Sequence, residues 1–98
     1  MIPDNSQVGQ GGPDHAYWGR PEDMTMARPS YKIEPGKCGS DLAGETAASF
    51  ASASILFRGN NDTYSSILLD HAKSLYDFAD SCRGKYSDSI GDAQTFYK

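Results

Sequence analysis

The sequence has no long apolar run, and a chain without one has no stretch that spans a membrane as a helix. It has no excess of basic residues: nine Lys and Arg stand against thirteen Asp and Glu, a net charge of −4. That balance argues against nucleic acid or an anionic membrane as the main partner. The first residues, M-I-P-D, lack a basic start and an apolar segment, so they do not read as a signal peptide. Cysteine is scarce. Cys38 and Cys82 allow one disulfide or two free thiols, and the sequence leaves both open. There is no H-x-x-x-H or C-x-x-C spacing for a metal and no G-x-S-x-G elbow for a serine nucleophile. Gly9, Gly11 and Gly12 make no phosphate loop, because no strand precedes them and no helix follows directly.

What is present is uneven. Ninety-eight residues allow one small domain, and most of the fifteen Gly and Pro residues fall in the first forty positions. Residues 1–13 read as extended or turn-like with a mobile end. Residues 14–29 pack a histidine, a tyrosine, the single tryptophan, two arginines and several acids between glycines and prolines. Such a stretch predicts a loop, with at most a helical turn over residues 20–24, where Pro21 is tolerated early. Residues 28–36 form another connector, too rich in proline for long regular structure.

From residue 40 the pattern changes. Leu42, Ala43, Ala47, Ala48, Ala51, Ile55 and Leu56 recur at helical spacing up to about Phe57, with Ser40 or Asp41 as the expected cap. The small residues at 47–53 suit close approach of a second helix. Gly59 is the natural stop. Asp62 or Thr63 is then expected to cap a second helix whose stripe runs Tyr64, Leu68, Ala72, Leu75, Ala79, Cys82, with Ile67, His71 and Phe78 beside it. Gly84 ends it. Two long helices with a short turn predict an antiparallel α-hairpin. Residues 86–92 read as a loop feeding a last short segment that ends in Phe96, Tyr97 and Lys98. A lone hairpin covers only one of its faces, so the chain reads as a piece of a larger all-α fold.

Candidate chemistry is modest by residue type alone. His15 with Asp14, Glu22 and Asp23 reads better as a hydrogen-bonding residue than as a metal ligand, and His71 better as a satisfied core histidine. Among the loop carboxylates Asp14, Glu22, Asp23, Asp88 and Asp92, two could flank a glycosidic bond, but solvated or capping roles fit each one better. Tyr17, Trp18, Phe96 and Tyr97 are large rings on segments with no need to bury them. Such rings stack on sugar faces or, equally, fill a core.

Three motifs in series then become specific: H-A-Y-W-G-R-P-E-D-M-T-M-A-R-P-S-Y-K-I, G-S-D-L-A-G-E-T-A-A and F-A-D-S-C-R-G-K-Y-S-D-S-I. With their order and spacing they closely resemble glycoside hydrolase family 9, on the side of the animal-type endoglucanases. The resemblance runs from about Gln7 to Lys98; Met1 to Ser6 depart from the pattern. It implies an all-α fragment of a six-hairpin α/α toroid, an α/α barrel with an open cleft. Residues 1–39 would give cleft loops, 40–83 an α-hairpin, and 84–98 a cleft loop and the start of the next helix.

Family members hydrolyse β-1,4-glucan with inversion. An aspartate activates water and a glutamic acid protonates the leaving oxygen. The aspartate belongs to a D-A-G-D motif and the glutamate to a distant region, and neither motif occurs in these residues. The resemblance therefore implies no catalytic residue here and an isolated chain that is inactive. Four residues carry over as substrate-binding: His15 and Trp18 in the D-H-x-x-W-G pattern, and the aromatic pair Phe96 and Tyr97. No cofactor is expected; the family's structural calcium, where present, has ligands outside this chain. The implied partner is β-1,4-glucan, as cellulose or cello-oligosaccharides, with the full-length protein monomeric and secreted. The reading from another class is a non-catalytic carbohydrate-binding or helical interaction protein.

Overall fold

The computed structural model describes residues 7–96, so Tyr97 and the departing start Met1 to Ser6 lie outside the described residues. Its backbone is dominated by two long helices, α2 (Ser40–Phe57) and α3 (Asp62–Ser81). Before them come a two-residue strand β1 (Gln7–Val8), a short helix α1 (Gly11–Ala16), a 3-10 turn (Pro21–Asp23) and strand β2 (Ser30–Tyr31). After them come α4 (Tyr86–Ser89) and a second 3-10 turn (Gly91–Thr95). None of the described helices is long and apolar enough to cross a membrane.

The helices run antiparallel. Ser54 meets Ser65 near the turn, Phe50 meets His71 further along, and Ser40 meets Gly84 at the open end. Gly59, at φ +84°, takes the left-handed conformation that stops α2, a conformation other residues adopt only with strain. Asn61 caps α3 by accepting from the Tyr64 N–H at 3.1 Å. Asp62, one of the expected caps, instead accepts from the Gly59 N–H at 2.6 Å and tightens the turn.

The expected caps of α2 are employed elsewhere. Its N-cap is Gly39, with no side-chain capping bond. The Ser40 hydroxyl donates to the Gly84 carbonyl at 3.2 Å and accepts from the Gly84 N–H at 3.1 Å. Asp41 accepts from the Tyr86 N–H at 2.9 Å. The backbone that leaves α3 would otherwise carry unpaired polar groups, so these side chains serve it rather than their own helix.

The cysteines form a disulfide across the same open end, Cys38 to Cys82, with Cα atoms 5.2 Å apart. The Ser89 hydroxyl donates to the Cys38 carbonyl at 2.6 Å, so the tail is tied to this clasp as well.

The core sits beside the clasp. Ile33 and Leu75, each 1% exposed, pack with Ala43, Ala47, Phe78, Ile90 and Ala93. Burying the larger of these, Ile33, Leu75, Phe78 and Ile90, contributes about 1.5–3 kcal/mol each. The chain thus covers one face of its own hairpin with residues from the two flanking segments. The expected stripe of α3 is rotated at its start: Tyr64 and Ile67 are exposed, at 43% and 47%, while Ser65 is buried. The buried Ser65 is paired with Ser54 of α2, which places Ser65 rather than Tyr64 against that helix. His71 is half-buried, its ring edge-on to Phe50 at 6.2 Å. On another side of the hairpin, an apolar groove of about 460 Å³ runs between Ala47, Ala48 and Ala51 of α2 and Leu69, Ala72 and Tyr76 of α3.

The first third holds more regular structure than its composition predicts. β1 pairs antiparallel with β2, Gln7 opposite Tyr31 and Val8 opposite Ser30. α1 forms over G-G-P-D-H-A, with Pro13 in the first turn where its missing N–H costs nothing. Residues 86–92, expected as a loop, instead form the short helix Tyr86–Ser89 and the start of the 3-10 turn Gly91–Thr95.

Candidate functional site

His15 lies in the last turn of α1, and its Nδ1 is 2.7 Å from the Gly11 carbonyl one turn back. A carbonyl only accepts, so Nδ1 is the donor in this bond and Nε2 is left for other partners. The Phe96 ring stacks on the imidazole with centroids 4.4 Å apart and planes 17° from parallel. These two residues are eighty-one positions apart in sequence.

Gly11 makes this pairing possible in three ways. Its carbonyl orients His15. Its N–H donates to Asp92 Oδ2 at 2.9 Å, anchoring the segment that carries Phe96. Its Cα leaves the space taken by Phe96, because a Cβ there would run into the ring. The same Asp92 oxygen accepts from Gln7 Nε2 at 2.5 Å. One carboxylate therefore joins β1, the start of α1 and the last turn of the chain. Asp92 satisfies a helix N-terminal N–H that has no partner within its own helix.

Asp14, on the same helix, accepts from Arg28 Nη2 at 3.4 Å, and that guanidinium also reaches the Val8 carbonyl at 3.4 Å. The arginine thereby links α1 to the strand pair. Between these parts lies a cavity of about 230 Å³, lined by Gln7, Gly11, Asp14, His15, Ala93 and Phe96.

Trp18 follows two residues after α1 and is 92% exposed, with no stacked or edge-on ring partner among the described residues. Phe96 is 47% exposed. The alternative that these two rings fill the core is set aside, since Ile33, Leu75 and Phe78 do so. Tyr17 is half-buried and its hydroxyl donates to the Arg20 carbonyl at 3.0 Å, closing the turn beneath Trp18.

Of the four residues named from sequence, the structure brings His15 and Phe96 into contact and presents Trp18 nearby in the chain as an open indole. Tyr97 lies outside the described residues. Two of the other loop acids form ion pairs, Glu22 with Arg20 at 3.5 Å on the surface and Asp14 with Arg28 at 3.4 Å. No group of three or more His, Cys, Asp or Glu suited to a metal occurs among the described residues. In sequence Asp92 reads only as a loop carboxylate with a solvated or capping role, and its capping of Gly11 fits that reading. What sequence reasoning missed is the link through Gly11 and Asp92 to the ring pair. The only local signal for them is the repeated glycine of G-Q-G-G, which reads as flexibility until Phe96 is placed against it.

An aromatic stack with polar edges, beside an exposed indole, is suited to contacts with the flat apolar faces and hydroxyl rims of a sugar chain. The family model for Glycosyl hydrolase family 9 matches residues 5–98, two residues earlier than the motifs alone suggest. Endoglucanase 6 of Arabidopsis thaliana is 56% identical over 92 residues, covering 94% of this chain and 15% of that protein. Endoglucanase 7 of Oryza sativa subsp. japonica is 52% identical over 92 residues, covering 94% of this chain and 17% of that protein. Among solved structures, the endoglucanase of the termite Nasutitermes takasagoensis superposes with a TM-score of 0.87 at 68% identity, over 92% of this chain and 21% of that one. The catalytic domain of Clostridium thermocellum CelT superposes with a TM-score of 0.82 at 38% identity, over 93% of this chain and 18% of that one. The chain thus spans about a sixth of the length of the curated relatives it matches.

Proposed function

Because this chain belongs to glycosyl hydrolase family 9 and folds as a piece of that family's α/α barrel, we propose that it forms one wall of the substrate cleft of an endo-β-1,4-glucanase. The observation that carries this reading is the ring pair His15–Phe96, stacked at 4.4 Å and followed along the chain by the exposed Trp18. Trp18 supplies an indole face for a glucose ring. His15 Nε2 takes a hydrogen bond with a glucan hydroxyl, its ring held by Gly11 behind and Phe96 beside it. The family resemblance adds Tyr97, the neighbour of Phe96 in sequence, as a further glucan contact. The ligand is β-1,4-glucan, as cellulose or cello-oligosaccharides.

The chemistry belongs to other residues. Inverting hydrolysis needs a carboxylate to activate water and a carboxylic acid to protonate the leaving oxygen, spaced to admit that water. The carboxylates nearest the ring pair are already committed, Asp14 to Arg28 and Asp92 to Gln7 and Gly11. This segment binds and orients glucan while carboxylates elsewhere in the complete domain cleave it. The whole protein acts as a monomer outside the cell, a compartment in which a disulfide such as Cys38–Cys82 persists.

The test is a chimaera in which this chain replaces the matching segment of the termite endoglucanase. It is expected to release reducing sugar from carboxymethylcellulose and to lose affinity for glucan on His15→Ala. A chimaera that folds but is inactive, or one whose glucan affinity is indifferent to His15, overturns the reading.

A further inference from the structure

We propose that Asp92 is a positioning residue for the glucan-facing rings, holding Phe96 on His15 by binding the start of α1. The inference rests on the cleft reading of His15 and Phe96 and adds a residue that touches no sugar.

Three observations carry it. Asp92 stands four residues before Phe96 on the final 3-10 turn, where Ala93 is buried in the core and the Phe96 N–H donates to the Ala93 carbonyl at 3.1 Å. The turn is therefore rigid between the carboxylate and the ring. Asp92 Oδ2 accepts two hydrogen bonds, from the Gly11 N–H and from Gln7 Nε2, both in segments more than eighty positions away. Bonds to an ionised carboxylate are shorter and stronger than those between neutral groups. Finally, Gly11 is also the residue that orients His15 through its carbonyl and makes room for Phe96 at its Cα. The carboxylate thus ties Phe96's segment to the backbone unit that fixes His15, and the separation of the two rings follows from it. A ring pair on two segments this far apart needs such a link to keep one geometry without ligand, and a preorganised surface binds without first ordering itself.

The role is distinct from a general contribution to folding. The apolar core around Ile33 and Leu75 and the Cys38–Cys82 clasp are made by other side chains, and the Asp92 carboxylate bonds to Gln7 and Gly11 instead.

The experiment uses the 98-residue chain and two readouts. The ring protons of His15, stacked on Phe96, are expected to resonate upfield of an unstacked histidine, and Phe96→Ala is expected to remove that shift. Asp92→Ala is expected to remove it too, while the methyl resonances of Ile33 and Leu75 stay in place. Asp92→Asn keeps an acceptor for the Gly11 N–H and is expected to retain the shift. In calorimetric titrations with cellotetraose, Asp92→Ala is expected to bind as weakly as Phe96→Ala, with the double variant no weaker than either.

Several results overturn the proposal: no upfield shift in the unsubstituted chain, a shift that survives Asp92→Ala, core methyls that move with it, or affinity losses that add in the double variant. If the unsubstituted chain shows the shift but does not bind cellotetraose, the cleft reading fails. The hold of Asp92 on the rings is then decided by the His15 shift alone.

Discussion

Ser54 and Ser65 face each other across the hairpin, and each hydroxyl donates to the other's backbone carbonyl at 2.7 Å, with the two oxygens 3.0 Å apart. Both side chains are buried, yet no polar side-chain atom buried among the described residues lacks a partner. The pair fixes the register of α2 against α3 where the helices come closest to their turn. Replacing either serine by alanine removes one donor and is expected to cost about 0.5–1.5 kcal/mol. Because the two bonds join the same pair of residues and the hydroxyl oxygens lie against each other, the Ser54→Ala/Ser65→Ala variant is expected to lose less than the sum. Urea denaturation of the four proteins measures both; strictly additive losses would show that the serines act independently.

The Cys38–Cys82 bond joins residues forty-four positions apart and encloses both long helices. In the chain-entropy account, a loop of that length is worth about 4 kcal/mol. Cys82→Ser is expected to lower the thermal midpoint by well over ten degrees, taking about 4–8 °C per kcal/mol for a chain of this size. The same drop on adding a dithiol to the unsubstituted chain would assign it to the bond rather than to the serine.

Gly11→Ala places a methyl group where the Phe96 ring lies. The ring must leave its seat, at an expected cost of about 1–3 kcal/mol as for other overpacked sites. Gly12, the next residue, has open space at its Cα, so Gly12→Ala is expected to be nearly neutral. Paired melting curves make the comparison, and equal effects at the two positions would contradict the close approach of Phe96 to Gly11.

Trp18 packs against almost nothing, so Trp18→Ala is expected to leave stability within about 0.5 kcal/mol. Its effect should fall on ligand instead. In the chimaera with the termite enzyme, glucan binding is expected to weaken by about 1–3 kcal/mol, taking stacking on a sugar as comparable to stacking on a base. Unchanged affinity would remove Trp18 from the site.

The 98-residue chain by itself is expected to release no reducing sugar from carboxymethylcellulose, since it lacks the family's catalytic motifs. Reproducible release that disappears with Trp18→Ala would overturn this and place the chemistry within these residues.

The sequence by itself determined the two long helices and singled out the candidate surface around His15 and Trp18. Apolar and small residues at helical spacing, with Gly59 between, specify α2 and α3 through interactions a few positions apart, and local pattern reports such interactions well. The density of rings and charges around His15 and Trp18 also stood out, and the three motifs carried the family. Only the tertiary structure decided how the segments join. Ser40 and Asp41 look like caps in sequence and in fact bind the backbone at Gly84 and Tyr86. The two cysteines could have stayed apart, and Gln7, Gly11 and Asp92 carry no mark of one another. Each of those contacts closes a loop of forty to eighty-five residues. Its free energy depends on where the rest of the chain brings the partners, and no short stretch of sequence encodes that position.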